Sequence, residues 1–417
     1  MKVFKNFCIS AVILSLTFLS GCDRKQETIK LGYIDPLSGP FANIGEHVLR
    51  ELQLFVEQVN ERGGVLGGIK FEIVPIDGKG NPQESLIAFR QLADQNIKFL
   101  IQGNSSAVAA ALNEAVAKHN ERNPENAMVY LNYGAVDPSL TNERCNFWHF
   151  RFDADANMKM QAMTTMMAAD PAVKKVYLIN QDYSFGHAIS DASKLMLGNK
   201  RPDIQIVGDD LHPLGKIKDF SPYISKIQAS GADSVITGNW GADLALLVRA
   251  ASDAGLDVSF YTQYAGIVGG LSAMGEAAAN RVKQVTMWHV NAGGEASDAL
   301  VLAYRNKFPE ENDDLFFLSL KHAMELLVIA INDSNSTDPL KVARALENAR
   351  YMGATGEVWI RADNHQLMQP LYVSTFKKSG SERVEFDVER MGIGPMTDFL
   401  VPAEDTALPT TCEFKHS

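Results

Sequence analysis

The sequence predicts a mixed α/β protein built as two similar, doubly wound lobes. Three observations lead there. Short β-branched runs alternate with amphipathic helical stretches, the alternation restarts with the same rhythm near residue 173, and no low-complexity linker separates the two sets. With 417 residues, 46% of them hydrophobic, the chain has enough apolar mass for two or three cored domains.

In the first set, IKLGYI (29–34) precedes a helix over about 42–62, where Val48, Leu52, Phe55, Val56 and Val59 form one stripe and Gly63-Gly64 supplies the stop. FEIVPID (71–77), a helix from about Pro82, the FLIQG strand, a helix over about 105–121 and MVYLN (128–132) follow. Strands joined by helices through short loops form a parallel sheet. After FWHFRF (147–152) and a Met-rich helix, MKMQAMTTMM (158–167), the second set begins. Its strands are VKKVYLIN (173–180), IQIVGDD (204–210), SVITG (234–238) and VSFYT (258–262), with helices from Ser184, near Phe220–Ala229 and over 241–254. VKQVTMWHV (282–290) and helices over about 295–308 and 314–333 do not extend this set neatly. They predict lobes that exchange late segments, with crossings near 149–152, 286–291 and 353–357.

The formal charge of −11, without a cluster of Lys and Arg, excludes a nucleic-acid face. None of the nine histidines stands at ligand spacing from another histidine or a cysteine, and no G-x-G-x-x-G follows the first strand. Neither a metal nor a cofactor is therefore expected. The start of the chain, with Lys2, Lys5 and an apolar stretch from Phe7 to Leu19, reads as a secretory leader too short for a durable membrane span. The leader ends in Leu19-Ser20-Gly21-Cys22, which resembles the bacterial lipobox. That resemblance implies removal of residues 1–21, a lipid on Cys22 and, from Asp23, retention at the inner membrane on the periplasmic side. Ordinary secretion with an incidental Cys22 is the alternative. Two further cysteines, Cys145 and Cys412, would most simply pair with each other in an oxidising compartment, two free thiols being the alternative.

Open α/β sheets bind ligands beyond the carboxyl ends of their strands, so the loops there are the candidate site. In the first set they read DPLSGPFANIG (35–45), GNSSA (103–107) and NYGAVDPS (132–139). In the second they read NQDYSFG (180–186), GNWGAD (238–243) and TQYAG (262–266). One side supplies small residues, hydroxyls and backbone N–H groups. The other supplies rings: Tyr183, Phe185, Trp240 and Tyr264. GNSSA approaches the G-x-S-x-G of a nucleophilic serine, with Asp363 and His365 in hydrolase order and His187 in a candidate loop, but residue 107 is Ala and no oxyanion segment precedes it. A helix N-terminus that cradles an anion is the simpler reading of Ser105 and Ser106. Plain N-capping for the serines, core packing for Trp240, helix-start packing for Tyr183 and Phe185 and a simple turn at Ser38 remain the bland alternatives.

LSGPFANIGEHVLRELQLFVEQVNERGGVLGG, Asp77 with Asn81-Pro82-Gln83, GNSSA, GAVDPSLT, KDFSPYISKIQASGADSVI and ATGEVWIRADNHQLMQPLYV occur in this order between about residues 29 and 376. Together they resemble the leucine/isoleucine/valine-binding proteins, the type I periplasmic receptors of ATP-driven (ABC) importers. The resemblance implies a Venus-flytrap fold with three crossings. It divides the chain into residues 29–149 plus 287–354 as one lobe, 150–286 plus 355–400 as the other, and a tail over 401–417. It puts ligand contacts on Ser105 or Ser106 and on Gly134, Ala135 and Val136, with Phe185 and Trp240 from the second lobe. Two departures stand out: Val136 replaces a hydroxyl-bearing threonine, and Tyr264 replaces the acid that receives a ligand's ammonium group. A desolvated ammonium without an acidic partner is costly. The expected ligand is therefore a small carboxylate with an apolar or aromatic body, and the expected role is that of a non-enzymatic, lipid-anchored receptor delivering it to an ABC permease. A sensory receptor of the same fold and, more remotely, a periplasmic serine hydrolase are the alternatives.

Overall fold

Each apolar run of the first set is followed by a helix that carries the chain back over the sheet, so the strands lie parallel. In the computed structural model, which describes residues 28–414, the first sheet contains β1 (Thr28–Asp35), β2 (Lys70–Asp77), β3 (Phe99–Gln102), β4 (Val129–Asn132) and β5 (His149–Arg151), in the order β2-β1-β3-β4-β5. All of its pairings are parallel. The leader and Cys22 lie outside the described residues. β3 and β4 are buried at every position, as expected of interior strands covered on both faces. Helices α1 (Ala42–Glu61), α2 (Pro82–Asp94) and α3 (Ser106–Arg122) make the first three connections. The apolar stripe of α1 is buried throughout. Asn81 caps α2 by accepting from Gln83 N and Glu84 N, and Pro82 occupies its first turn.

The second lobe repeats this plan. After α4 (Ala156–Ala169), whose Met158, Met160, Met163 and Met167 are buried, come β6 (Lys175–Gln181), α5 (Ser184–Lys200), β7 (Gln205–His212), α6 (Ser221–Ser230) and β8 (Ser234–Ile236). α7 (Ala242–Asp253), β9 (Ser259–Thr262), α8 (Gly270–Met274) and β10 (Val282–Thr286) complete the set. The parallel part runs β7-β6-β8-β9-β10, the same order as the first sheet. β10 therefore does extend the second set. Its place is obscured in the sequence because the five-residue α8 and a 3₁₀ turn stand where a long helix would be.

From β10 the chain passes to α9 (Glu295–Lys307), α10 (Leu318–Ser334) and α11 (Pro339–Leu346), and α9 and α10 pack on α1 of the first lobe. A three-stranded antiparallel sheet, β11 (Arg350–Gly353), β12 (Gly356–Ile360) and β13 (Leu367–Met368), leads back. β14 (Leu371–Lys378) and β15 (Ile393–Val401) then add an antiparallel edge beside β10. Residues beyond β15 return to the first lobe, where Cys412 is disulfide-bonded to Cys145 with Cα atoms 5.6 Å apart and Thr410 Oγ1 donates to Thr141 O over 3.0 Å.

Two interlobe paths are knitted together by the fully buried Arg151. Its guanidinium donates to Gln366 Oε1 (2.6 Å), Asp137 O (2.6 Å), Thr141 Oγ1 and Asp155 Oδ2 (3.1 Å). Gln366 in turn donates to Asp153 O (2.8 Å), so residues 151–155 and 365–369 run side by side. Among the described residues no helix is long and apolar enough to cross a membrane.

Candidate functional site

In both sheets the strand order reverses beside the first strand, and the loops leaving the neighbouring strands at their carboxyl ends face each other. Between them lies a cavity with about 390 Å³ of space free of atoms, part of it open to solvent. The first lobe contributes Gly103, Asn104, Ser105 and Ser106 after β3, Tyr133, Gly134, Ala135 and Val136 after β4, Ile44 of α1, and Phe317 at the start of α10. Tyr183 and Phe185 after β6, Trp240 after β8, and Tyr264 and Ile267 after β9 form the opposite wall. Of the residues expected from the sequence to contact a ligand, all but Ser38 line this cavity. Ser38 sits in an exposed turn where its Oγ donates to Asp77 Oδ2 over 2.5 Å, and it does not line the cavity.

The first-lobe wall is a set of donors. A Cβ on Gly103 would stand 2.4 Å from Gly134 N, so only glycine lets these two loops approach as they do. Ser105 adopts a positive φ of 80°, a conformation costing a non-glycine residue on the order of 1–3 kcal/mol. Its side chain caps no backbone N–H of α3. Ser106 Oγ accepts from Asp137 N at 3.2 Å and thereby joins the two loops. The N–H groups of Gly134 and Ala135 turn back to Asn132 Oδ1 (3.2 and 2.8 Å), so these two donors are already committed. Beneath this loop Asp35 accepts from Asn104 N (3.1 Å) and Tyr133 Oη (2.6 Å), and burial pushes its carboxyl up to about 7.

The second-lobe wall is aromatic, with its polar tips largely committed to one another. Trp240 Nε1 donates to Tyr183 Oη over 2.8 Å, and Phe185 packs edge-on against Tyr264 at 5.9 Å between centroids. Tyr264 Oη lies 3.1 Å from Gly134 O across the cleft, 3.2 Å from Asp153 Oδ2 and 3.3 Å from Lys159 Nζ. Burial, and next the Asp153 carboxylate, hold its phenol well above the ordinary value, so it remains a proton donor at neutral pH. Lys159 and Asp153 form a buried pair at 2.7 Å behind that ring. At the rim Phe41 of the first lobe packs on Trp240, centroids 4.6 Å apart. The lobes are thus shut on each other.

No carboxylate and no histidine lines the cavity. His365 is buried in stacking contact with Phe150, while His187 is exposed and paired with Asp182, so Ser105 has no base. Among the described residues no group of three or more His, Cys, Asp or Glu could hold a metal ion. Sequence reasoning missed Ile44, Asn104, Tyr133, Ile267 and Phe317. Asn104 and Tyr133 lie inside or beside motifs already singled out, but Phe317 arrives from a helix start far along the chain with only the Phe316-Phe317 pair to mark it.

The sequence profile of a family described as periplasmic binding protein matches residues 28–381. The chain is 31% identical over 420 residues to Leu/Ile/Val-binding protein homolog 4 of Brucella melitensis biotype 1, spanning 100% of this chain and 99% of that protein. It resembles, at 29% identity and a TM-score of 0.84, the closed conformation of a leucine-, isoleucine-, valine-, threonine- and alanine-binding protein from Brucella ovis, covering 94% of this chain and 100% of that one. A solute-binding protein of an ABC transporter from Rhodopseudomonas palustris BisB5, solved with 3,4-dihydroxybenzoic acid, shares the fold at 17% identity and a TM-score of 0.76, over 90% and 98% of the two chains.

Proposed function

The chain belongs to the periplasmic binding protein family, among relatives of the leucine/isoleucine/valine-binding proteins, and from that premise we propose that it captures a small carboxylate between its lobes and delivers it to an ABC permease. The solute has an apolar or aromatic body and no ammonium group. The start of α3 grips its acid end, and the rings of the second lobe cover the rest. Contacts made only in the shut form shift the balance between open and closed lobes and present one geometry to the permease. Lipid attachment at Cys22 keeps the receptor at the periplasmic face of the inner membrane.

The observation that carries this reading is the asymmetry of the cavity. One wall offers the uncapped start of a helix, where N–H groups favour a negative charge, and neither wall offers a carboxylate to balance a positive one. A buried ammonium would lose its hydration without an acidic partner. The test is a thermal-shift screen of the full chain against amino acids, aromatic acids and short aliphatic acids. A ligand at a hundred times its Kd adds about 2.7 kcal/mol to stability. Acids lacking an amine are expected to raise the melting temperature. Stabilisation by amino acids alone would overturn the ligand class while leaving the receptor role.

A further inference from the structure

Among the residues lining the cavity, Asn104 is the one with a buried side-chain polar atom left without a partner among the described residues. Its Nδ2 makes no hydrogen bond, although the residue is only 9% exposed. The backbone on either side of that side chain is fixed. Asn104 N donates to Asp35 Oδ1 at 3.1 Å, and Asn104 O accepts from Gln102 Nε2 at 2.7 Å. The next residue, Ser105, is held at its positive φ and begins α3 without capping it. Buried amide donors are normally satisfied, and an exception on a cavity wall calls for a partner that enters the cavity. The strain and the open donor thus fall on adjacent residues of one rigid turn.

We propose that Asn104 is a ligand-contacting specificity residue whose side-chain amide donates to the solute's carboxylate beside the first-turn N–H groups of α3. The inference rests on the carboxylate reading above and deepens it. Donors presented together from one turn accept a carboxylate, which has acceptors on both oxygens. They discriminate against the matching primary amide, whose NH₂ would face them with nothing to accept its hydrogens. Asn104 thus sets the preference of acid over amide, and the Asp35 carboxylate that holds its backbone is a positioning group.

The test measures binding of benzoate, 3-methylbutanoate and leucine, each against its own primary amide, to the full chain and to Asn104→Ala and Asn104→Asp. In the unaltered protein at least one acid binds tenfold or more tightly than its amide. Asn104→Ala lowers affinity for that acid about tenfold and brings the ratio near one. Asn104→Asp, which replaces the donor by an acceptor, reverses the ratio. The melting temperature of ligand-free Asn104→Ala does not fall, because no internal bond is lost, whereas a purely structural role would lower it. If no acid binds more tightly than its amide to the unaltered protein, the carboxylate reading fails and this inference with it. If acids are preferred and both variants keep the same ratio, the role of Asn104 alone is overturned.

Discussion

His47 shows how a single side chain can tie stability to pH in this molecule. It is fully buried, with Nδ1 2.9 Å from Asp313 Oδ2 and Nε2 2.9 Å from Glu51 Oε1, the second as an ion-pair contact without hydrogen-bond geometry. Burial alone would lower its pKa, but the Glu51 and Asp313 carboxylates outweigh it and raise the imidazole to about 9 from 6.5. Tyr304 and Arg50 also bond Asp313, whose carboxyl is held well below the ordinary range. A raised folded pKa on a base gives stability that is complete below pH 6.5 and lost as pH climbs through 9. Unfolding in urea should therefore show a decline of about 3 kcal/mol at most between pH 6 and pH 10, and His47→Gln should be less stable at pH 6 with a flatter profile. The same scale shows what the sequence reveals of the site. Ser105, Ser106, Phe185, Trp240 and Tyr264 could be found because each follows a strand end within a few residues. Phe317 could not, because it meets the cavity wall at Gly134, more than 180 positions away, and the Asp313 that completes the pairing of His47 is 266 positions from it.

At the level of elements, α10 owes its placement to α1. Glu51 accepts from Phe316 N (2.5 Å) and Phe317 N (3.2 and 3.1 Å), which puts a carboxylate at the N-terminal end of a 17-residue helix. The clamp sets the ring of Phe317 against Tyr133, centroids 5.1 Å apart, on the cavity wall. Glu51→Leu would leave the half-buried Phe316 N–H and the buried Phe317 N–H without their acceptor and take from the His47 imidazole one of its two carboxylates. Removing one partner of a buried pair typically costs about 3–5 kcal/mol, and chemical denaturation of the variant should register a loss of that size. The period of apolar residues made α1, α3 and α7 readable within a residue or two of their observed ends. β14 and β15 escaped that reading. They depart from the β-helix-β rhythm, and their antiparallel pairing to β10 depends on neighbours distant in the chain.

On the scale of the whole molecule, two sheets of one topology are shut over a cavity and bound by the paths at 151–155 and 365–369. Residues past β15 add a covalent tie between Cys145 and Cys412, across a sequence separation of 267. In the chain-entropy account a loop of that length contributes up to about 5 kcal/mol. The Cys145→Ser/Cys412→Ser double variant should accordingly melt several degrees below the disulfide-bonded protein, and addition of a reductant should lower the unaltered protein toward it while leaving the variant where it is. The family profile stops at residue 381, whereas the Brucella melitensis relative aligns over the whole chain.

That bond has an effect on how damage to the protein would look. The second lobe, together with α9 to α11, lies between its two cysteines, so a protease that cuts one exposed loop there leaves the fragments fastened to each other. A nicked receptor would run as an intact band on a gel without thiol, part into two bands once thiol is added, and keep its guest chamber assembled until then.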